Sequence, residues 1–494
     1  MTIIPEVKAH YGMLPQLIGG EWVEPSSSAV MNDSLNPATG EVIAQYPSAT
    51  HEEALRVVEA AAEGFKVWKE VPLRTKGRML FELRQKFDEN ADMLARILTQ
   101  ELGSTFKESD GSIRRSIENI ESACSAVYGM PARNEHIDNL ATGIDQWLSW
   151  EPVGAFLILT PSNIPTHAWS SFVPYALAAG CSIILKPSQY EPLSSYYITK
   201  LTQECGFPAG AVNLVYGDHA MTELVLRQPA IRGVGFIGSS GVGRELFRVC
   251  GELGKNSSIN GSGKNTIVVL PDANLDEVPG YVRQGCFGMT GQRCLGTDNV
   301  VVVGDIYDEF KERFVAEAKS MKLGYGLDTS VSLGPYASAR GRDKVLDWIG
   351  RALDEGCTMV LDGREILEEL KKGFFIGPTI LEGGNVDMET AKEEAFGAVS
   401  CLIRADSLEQ AIEWINTKHN WGHSASIMTQ SGKSARKFIH EVIAGNVAVN
   451  AGIPQPYAFF PLSSKRDSFF GGAKSRMSSM RLFLEEKTVT ARWI

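Results

Sequence analysis

The stretch EPVGAFLILTPSNIPTHAWSSFVPYALAAGCSIILKPS, residues 151–188, decides how the fold is read. AFLILT and CSIILK are short apolar runs, each closed by a proline, with a helix-length interval between them. Outward from it, VNLVYG at 212–217 and RGVGFIGS at 232–239 continue the rhythm, and the helical segment SSYYITKLTQECG intervenes. Apolar runs alternating with helices read as a parallel, doubly wound sheet. After Asn260 a second alternation begins: NTIVVLPD, NVVVVGD, TMVLDG, SCLIRAD, SASIMTQ and GNVAVNA, with helices such as IYDEFKERFVAEAKSM between them. Two α/β units are expected, with a site at the C-terminal strand ends and in the cleft between them. Before residue 151, the turn-rich GGEW and NPATGE precede two helical patterns, Glu52–Trp68 and Leu73–Leu102. Residues 130–150 and the tail from Arg476 fit neither rhythm and read as strands that reach a neighbouring copy.

A chain of 494 residues exceeds one simple core, and 44% hydrophobic with 22% charged residues is ordinary for a globular protein. The net charge of −11 leaves no basic stripe for phosphate backbones or anionic membrane surfaces, so neither nucleic acid nor membrane is expected as a partner. No apolar run is long enough to cross a bilayer, and the start carries no targeting pattern. The eight cysteines are scattered without a CxxC pair and the eight histidines lack ligand spacing, so no metal is expected. Reduced thiols in the cytoplasm are the expectation.

Several residues have the chemistry of a site. Lys186 ends an apolar strand where parallel sheets bind nucleotides, and taken alone it fits a solvated strand end equally well. FIGSSGVG, Phe236–Gly243, is a glycine turn opening a helix, suited to phosphate approach but short of a GxGxxG fingerprint. Asn163 offers an amide for an oxyanion or for a helix cap. His167 is a lone histidine, base or structural. Of the two cysteines in FGMTGQRC and the helix before it, Cys294 follows an arginine, which favours thiolate, and Cys286 has apolar neighbours. Spacing alone leaves both open.

Together these pieces resemble the aldehyde dehydrogenase superfamily over essentially the whole chain. The matching text is IGGEWV, NPATGE, EPVGAFLILTPSNIP, ILKPS, FIGSSGVG, GQRC, GPTIL, EEAFGAV and SKRDSFFG. The resemblance implies an NAD(P)-binding domain of Rossmann type (1–129 and 151–260), a catalytic α/β domain (261–475), and a small β extension (130–150 and 476–494) that joins copies into a homodimer or homotetramer. It implies that Cys294 attacks an aldehyde, that Asn163 stabilises the oxyanion, and that a thioester follows hydride transfer. Thr160, Pro161, Lys186, Ser188, Gln189, Phe236, Gly238, Ser239, Gly243, Glu394 and Phe396 fall where the family holds NAD or NADP. Lys186 matches the ribose-binding lysine, Ser239 the pyrophosphate contact, and Glu394 with Phe396 the nicotinamide-side ribose.

Three departures refine the expectation. Phe396-Gly397-Ala398 stands where Gly-Pro usually follows the phenylalanine. Gln189 replaces a glutamate that would repel a 2′-phosphate, so NADP remains open beside NAD. The stretch usually written ELGGK is NGSGK, with Asn260 in place of the glutamate that activates the hydrolytic water. An asparagine there is similar to the methylmalonate and malonate semialdehyde dehydrogenase branch, which passes its acyl group to coenzyme A. KPS, PDANLDE, FGMTGQRC and IPQP agree with that branch. Its two carboxylate-binding arginines match Arg293 and, in DGSIRRS, Arg115, and His167 lies on the same channel. A hydrolytic enzyme that finds another base, His167 for instance, is the alternative, and a non-catalytic protein on the same fold is a third.

Overall fold

The computed structural model describes residues 2–133 and 135–493. Five parallel strands form the centre of the first sheet: Ala155–Leu159, Ser182–Lys186, Val212–Leu214, Ile231–Ile237 and Asn256–Asn260. Numbered along the chain, their spatial order is 3-2-1-4-5. The order reverses between Ala155–Leu159 and Ile231–Ile237, which opens a crevice at their carboxyl ends. Ala155–Leu159 is buried throughout and Ile231–Ile237 everywhere but Arg232, because helices cover both faces of the sheet. Gln16–Ile18 and Phe469–Gly471 close the two sides antiparallel. Phe469–Gly471 therefore returns to this sheet from beyond the second one.

The second sheet orders Thr358–Leu361, Thr379–Glu382, Val399–Ala405, Asn299–Val303, Thr266–Val269, Ser424–Met428 and Asn446–Val449, parallel except for the first pair. All six apolar runs read from the sequence here are strands. Thr379–Glu382, which was not read as one, is a seventh. A third, three-stranded sheet pairs Leu484–Arg492 with Ile144–Pro152, which in turn pairs Glu135–Ala141.

The helical patterns before the first sheet need one correction. His51–Glu70 is a single helix, started by a Thr50–Glu53 capping box. The expected Leu73–Leu102 helix is two, Leu73–Glu89 and Ala91–Leu102. Asn90 turns its amide back onto the Lys86 carbonyl at 2.8 Å, an alternative to continuing the helix that periodicity does not reveal. The next helix, Phe106–Ala126, begins with a second capping box, Thr105 and Glu108, and carries Arg115 toward the crevice.

Candidate active site

Cys294 stands on a loop of unusual backbone. Met289, Thr290 and Gly291 lie consecutively in the left-handed region, at φ of 51°, 57° and 67°. Such a run costs roughly 1–2 kcal/mol at each non-glycine position and persists only where the surroundings hold it. Here the Met289 amide donates to Glu108 Oε1 at 2.6 Å and Thr290 Oγ1 to the Gly334 carbonyl at 3.0 Å. Gln292 Oε1 accepts from the Ala337 amide at 3.1 Å. At Gly291 a Cβ would fall 1.9 Å from the Gly397 carbonyl, so only glycine lets this loop lie against Phe396–Ala398. Beyond the loop, Asn265 Nδ2 grips the Cys294 carbonyl at 2.8 Å.

The loop opens on a cavity of about 800 Å³ whose wall includes Arg115, Asn163, His167, Arg293, Cys294 and Arg476. Cys286 lies away from it, 1% exposed in the core beneath the second sheet, and burial pushes its thiol far up. Cys294 is half-buried at the cavity wall, and its thiol is raised as well. Burial pushes it up to about 12, Glu394 adds to the shift, and Arg476 opposes it. The neighbouring cation Arg476 favours the thiolate, and removal of the sulfur from water opposes it.

Asn163 does not cap a helix. The helix Pro165–Ser170 has no side-chain cap, and Asn163 Nδ2 instead donates to the Gln292 carbonyl at 2.8 Å, beside Cys294. One N–H is left over. His167 is buried and accepts at Nε2 from the Arg476 guanidinium at 3.0 Å. An arginine only donates, so Nε2 is the accepting nitrogen and the ring proton sits on Nδ1. Burial and the charges of Arg476 and Arg115 hold its pKa well below the usual value. With its basic nitrogen occupied, His167 has no lone pair for a water.

Arg293 is half-buried, donates no hydrogen bond among the described residues, and its Nε is unpartnered. Arg115 pairs with Glu118 at 2.6 Å and lies over the Tyr457 ring at 4.2 Å. Arg476 and Glu108 are the residues the sequence reading missed. The Thr105–Glu108 spacing was visible as a capping box, but its second grip on Met289 was not. For Arg476 no signal existed, since it follows the last apolar rhythm.

Of the residues expected at a cofactor, Thr160, Pro161, Lys186, Ser188, Gln189, Phe236, Gly238 and Ser239 lie at the carboxyl ends of the first sheet's strands. Lys186 ends its strand half-buried; burial lowers its pKa, and the charges of Glu191 and Asp218 oppose that shift. Ser239 caps the 14-residue helix Ser240–Leu253, whose amino end faces the strand ends. Phe236 and Gly238 form the turn before it; a Cβ on Gly238 would meet the Phe236 ring at 2.3 Å, and one on Gly243 would meet Ile259 at 2.7 Å. This backbone is open to an anion, with positive helix-end dipoles aimed at it, so the residues fit a dinucleotide pyrophosphate. Thr160 Oγ1 and the Ser188 amide are held by the buried Glu191 at 2.7 and 2.9 Å, just past Pro161. Gln189 is exposed, and its carbonyl accepts from Tyr46. Glu394 accepts from the Gly263 amide at 3.2 Å, and burial pushes it up to about 8. Phe396 follows at a φ of 55°.

Asn260 ends the fifth strand fully buried, and neither atom of its carboxamide has a partner. Among the described residues, His136, Asp138 and Asp145 are the one group close enough to share a metal, and they lie on the third sheet far from this chemistry. No helix among them is long and apolar enough to cross a membrane.

Comparison with known proteins gives a consistent picture. The sequence profile described as aldehyde dehydrogenase family matches residues 22–489. Malonate-semialdehyde dehydrogenase 1 of Geobacillus thermodenitrificans (strain NG80-2) is 37% identical over 481 residues, covering 97% of this chain and 99% of the relative. The acylating, mitochondrial methylmalonate-semialdehyde dehydrogenase of Arabidopsis thaliana is 36% identical, covering 97% of this chain and 79% of the relative. Among solved structures, methylmalonate-semialdehyde dehydrogenase from Oceanimonas doudoroffii superposes with a TM-score of 0.94 at 30% identity, over 98% of this chain and 99% of the other. Betaine aldehyde dehydrogenase from Staphylococcus aureus, complexed with NAD+, gives 0.92 at 26% identity, over 97% and 95%.

Proposed function

The chain belongs to the aldehyde dehydrogenase family, and from that premise we propose that it oxidises an anionic semialdehyde with NAD or NADP and passes the acyl group to coenzyme A. The relatives named for malonate and methylmalonate semialdehyde, one of them acylating, support this reading. The observation that carries it is Asn260, a buried carboxamide in the place of a general base.

Cys294 Sγ adds to the aldehyde carbon, releasing its proton to solvent water in the cavity, and the carbonyl oxygen becomes an oxyanion. The free N–H of Asn163, already fixed beside the sulfur through Gln292, donates to that oxygen. Lys186, Ser239 and the helix amino end would hold NAD or NADP at the crevice, and its nicotinamide would supply the hydride acceptor. Arg293 and Arg115 hold the far anionic group and orient the carbonyl toward Cys294. The product on the protein is a thioester.

Its fate is a question of base chemistry. Water must be deprotonated as it attacks, and a positioned carboxylate is worth roughly 10² to 10⁴ in rate. Asn260 has no such basicity, and the lone pair of His167 is engaged by Arg476. A coenzyme A thiol, with a pKa near 8.5, has a few per cent of thiolate at neutral pH and needs little help. Its sulfur bonds to the acyl carbon as the bond to Cys294 breaks. Gln189 lacks the charge that repels a 2′-phosphate, which supports use of NADP beside NAD. The test is steady-state oxidation with and without coenzyme A, read by reduced cofactor and product mass. A burst followed by slow turnover without coenzyme A, and acyl-CoA with it, is expected. Fast free-acid formation without coenzyme A would favour the hydrolytic reading.

A further inference from the structure

Arg476 is a charge that the proposed chemistry does not use. It is 1% exposed, yet it lines the same cavity as Cys294, Arg115 and Arg293. Its terminal nitrogens reach the Pro456 carbonyl at 2.8 Å and His167 at 3.0 Å, and its Nε is buried without a partner. No described carboxylate lies within ion-pairing distance of either Arg476 or Arg293. Glu118, the partner of Arg115, is 39% exposed, so solvent already weakens that pair.

The carboxylates of the cavity wall are engaged elsewhere. Glu108 accepts from the Met289 and Thr105 amides, and Asp328 from Ser330 and Lys322. Buried charges are normally paired, because removing an ion from water costs several kcal/mol. One fully buried and one half-buried guanidinium, neither within ion-pairing distance of a described carboxylate, with Arg115 beside them, leave more positive charge in this cavity than one monoanion can offset. Arg476 remains charged at neutral pH, burial lowering it only to about 10.

Resting on the substrate reading above, we propose that Arg476 is a specificity residue that tunes this cavity to aldehydes bearing a doubly charged head group, of which phosphonate is the chemical type. Three guanidinium groups suit a tetrahedral dianion, whose three oxygens present more acceptor sites than a planar carboxylate. The competing role for Arg476 is a clamp on the 456–460 loop, through its carbonyl contacts.

The experiment compares kcat/KM, with NAD and coenzyme A, for phosphonoacetaldehyde, sulfoacetaldehyde, malonate semialdehyde and propanal. The wild type is expected to favour the phosphonate, and increasingly so as pH rises through its second ionisation, with no such trend for the sulfonate. Arg476→Gln should lower the ratio of phosphonate to carboxylate activity by about 100-fold, the worth of a charge-assisted contact, and Arg476→Lys should restore part of it. Should the variants fail to fold, the wild type alone decides: methylphosphonate should compete with the aldehyde at least tenfold better than acetate or methanesulfonate, in keeping with the stronger pairing of a dianion. A wild type that prefers the carboxylate or the sulfonate overturns the proposal. So does an equal loss for all four aldehydes in both variants, the signature of a loop clamp. The parent reading fails differently, through absence of aldehyde oxidation or of acyl-CoA.

Discussion

Two cysteines eight residues apart in the sequence have opposite fates, and the difference lies in what surrounds each sulfur. Cys286 is in the core, whereas Cys294 faces the cavity beside Asn163. Cys294→Ala is expected to abolish aldehyde oxidation, while Cys286→Ala costs only stability, about 1 kcal/mol. Asn163→Ala should slow the reaction by about 10²-fold, the cost of one oxyanion donor. Rates and thermal midpoints of the three variants check this; equal loss in both folded cysteine variants would refute the assignment. At this scale the sequence was most informative where a motif is contiguous: GQRC and PSN carry their own context. Arg476 shows the limit, since it meets His167 across 309 positions of chain.

At the scale of elements, one capping box and one buried acid couple distant segments. Glu108 caps the helix Phe106–Ala126 and also holds the left-handed Met289 amide, tying the helix that carries Arg115 to the loop that carries Cys294. Glu108→Ala should remove a charge-assisted hydrogen bond worth about 1.5–3 kcal/mol and lower kcat, because the strained run loses its anchor. A kcat unchanged in the folded variant would show that the loop is held without it. Glu101 ends the helix Ala91–Leu102 and caps the next layer, accepting from the Leu193 and Ser194 amides at 2.7 and 2.8 Å. Burial pushes its carboxyl up to about 7 despite those bonds. The folded value lies above the unfolded one, so the fold gains from protonation. That contribution is complete below about pH 4.5 and lost as pH rises through 7, about 3 kcal/mol in all. Thermal unfolding across that window should therefore show a falling midpoint, with a shallower slope in Glu101→Gln.

Over the whole molecule, two parallel sheets set their carboxyl ends toward one crevice, and a strand from the far end of the chain, Phe469–Gly471, ties back into the first. The third sheet leaves Ile137, Leu140 and Trp493 exposed, an apolar display that we propose is covered by another copy. Deleting residues 484–493 removes the pairing partner of Ile144–Pro152 and is expected to lower the assembled mass to that of a monomer, measured by light scattering. A deletion variant of unchanged mass would place the interface elsewhere. By itself the sequence determined the alternating strands and helices, the turn chemistry at their ends and the family, because these are written in local periodicity and contiguous motifs. Tertiary structure alone decided the break at Asn90, the surroundings that raise the Cys294 thiol, the occupied lone pair of His167 and the place of Arg476. Each of those depends on burial or on a partner far along the chain, and neither leaves a periodic trace in the residues between.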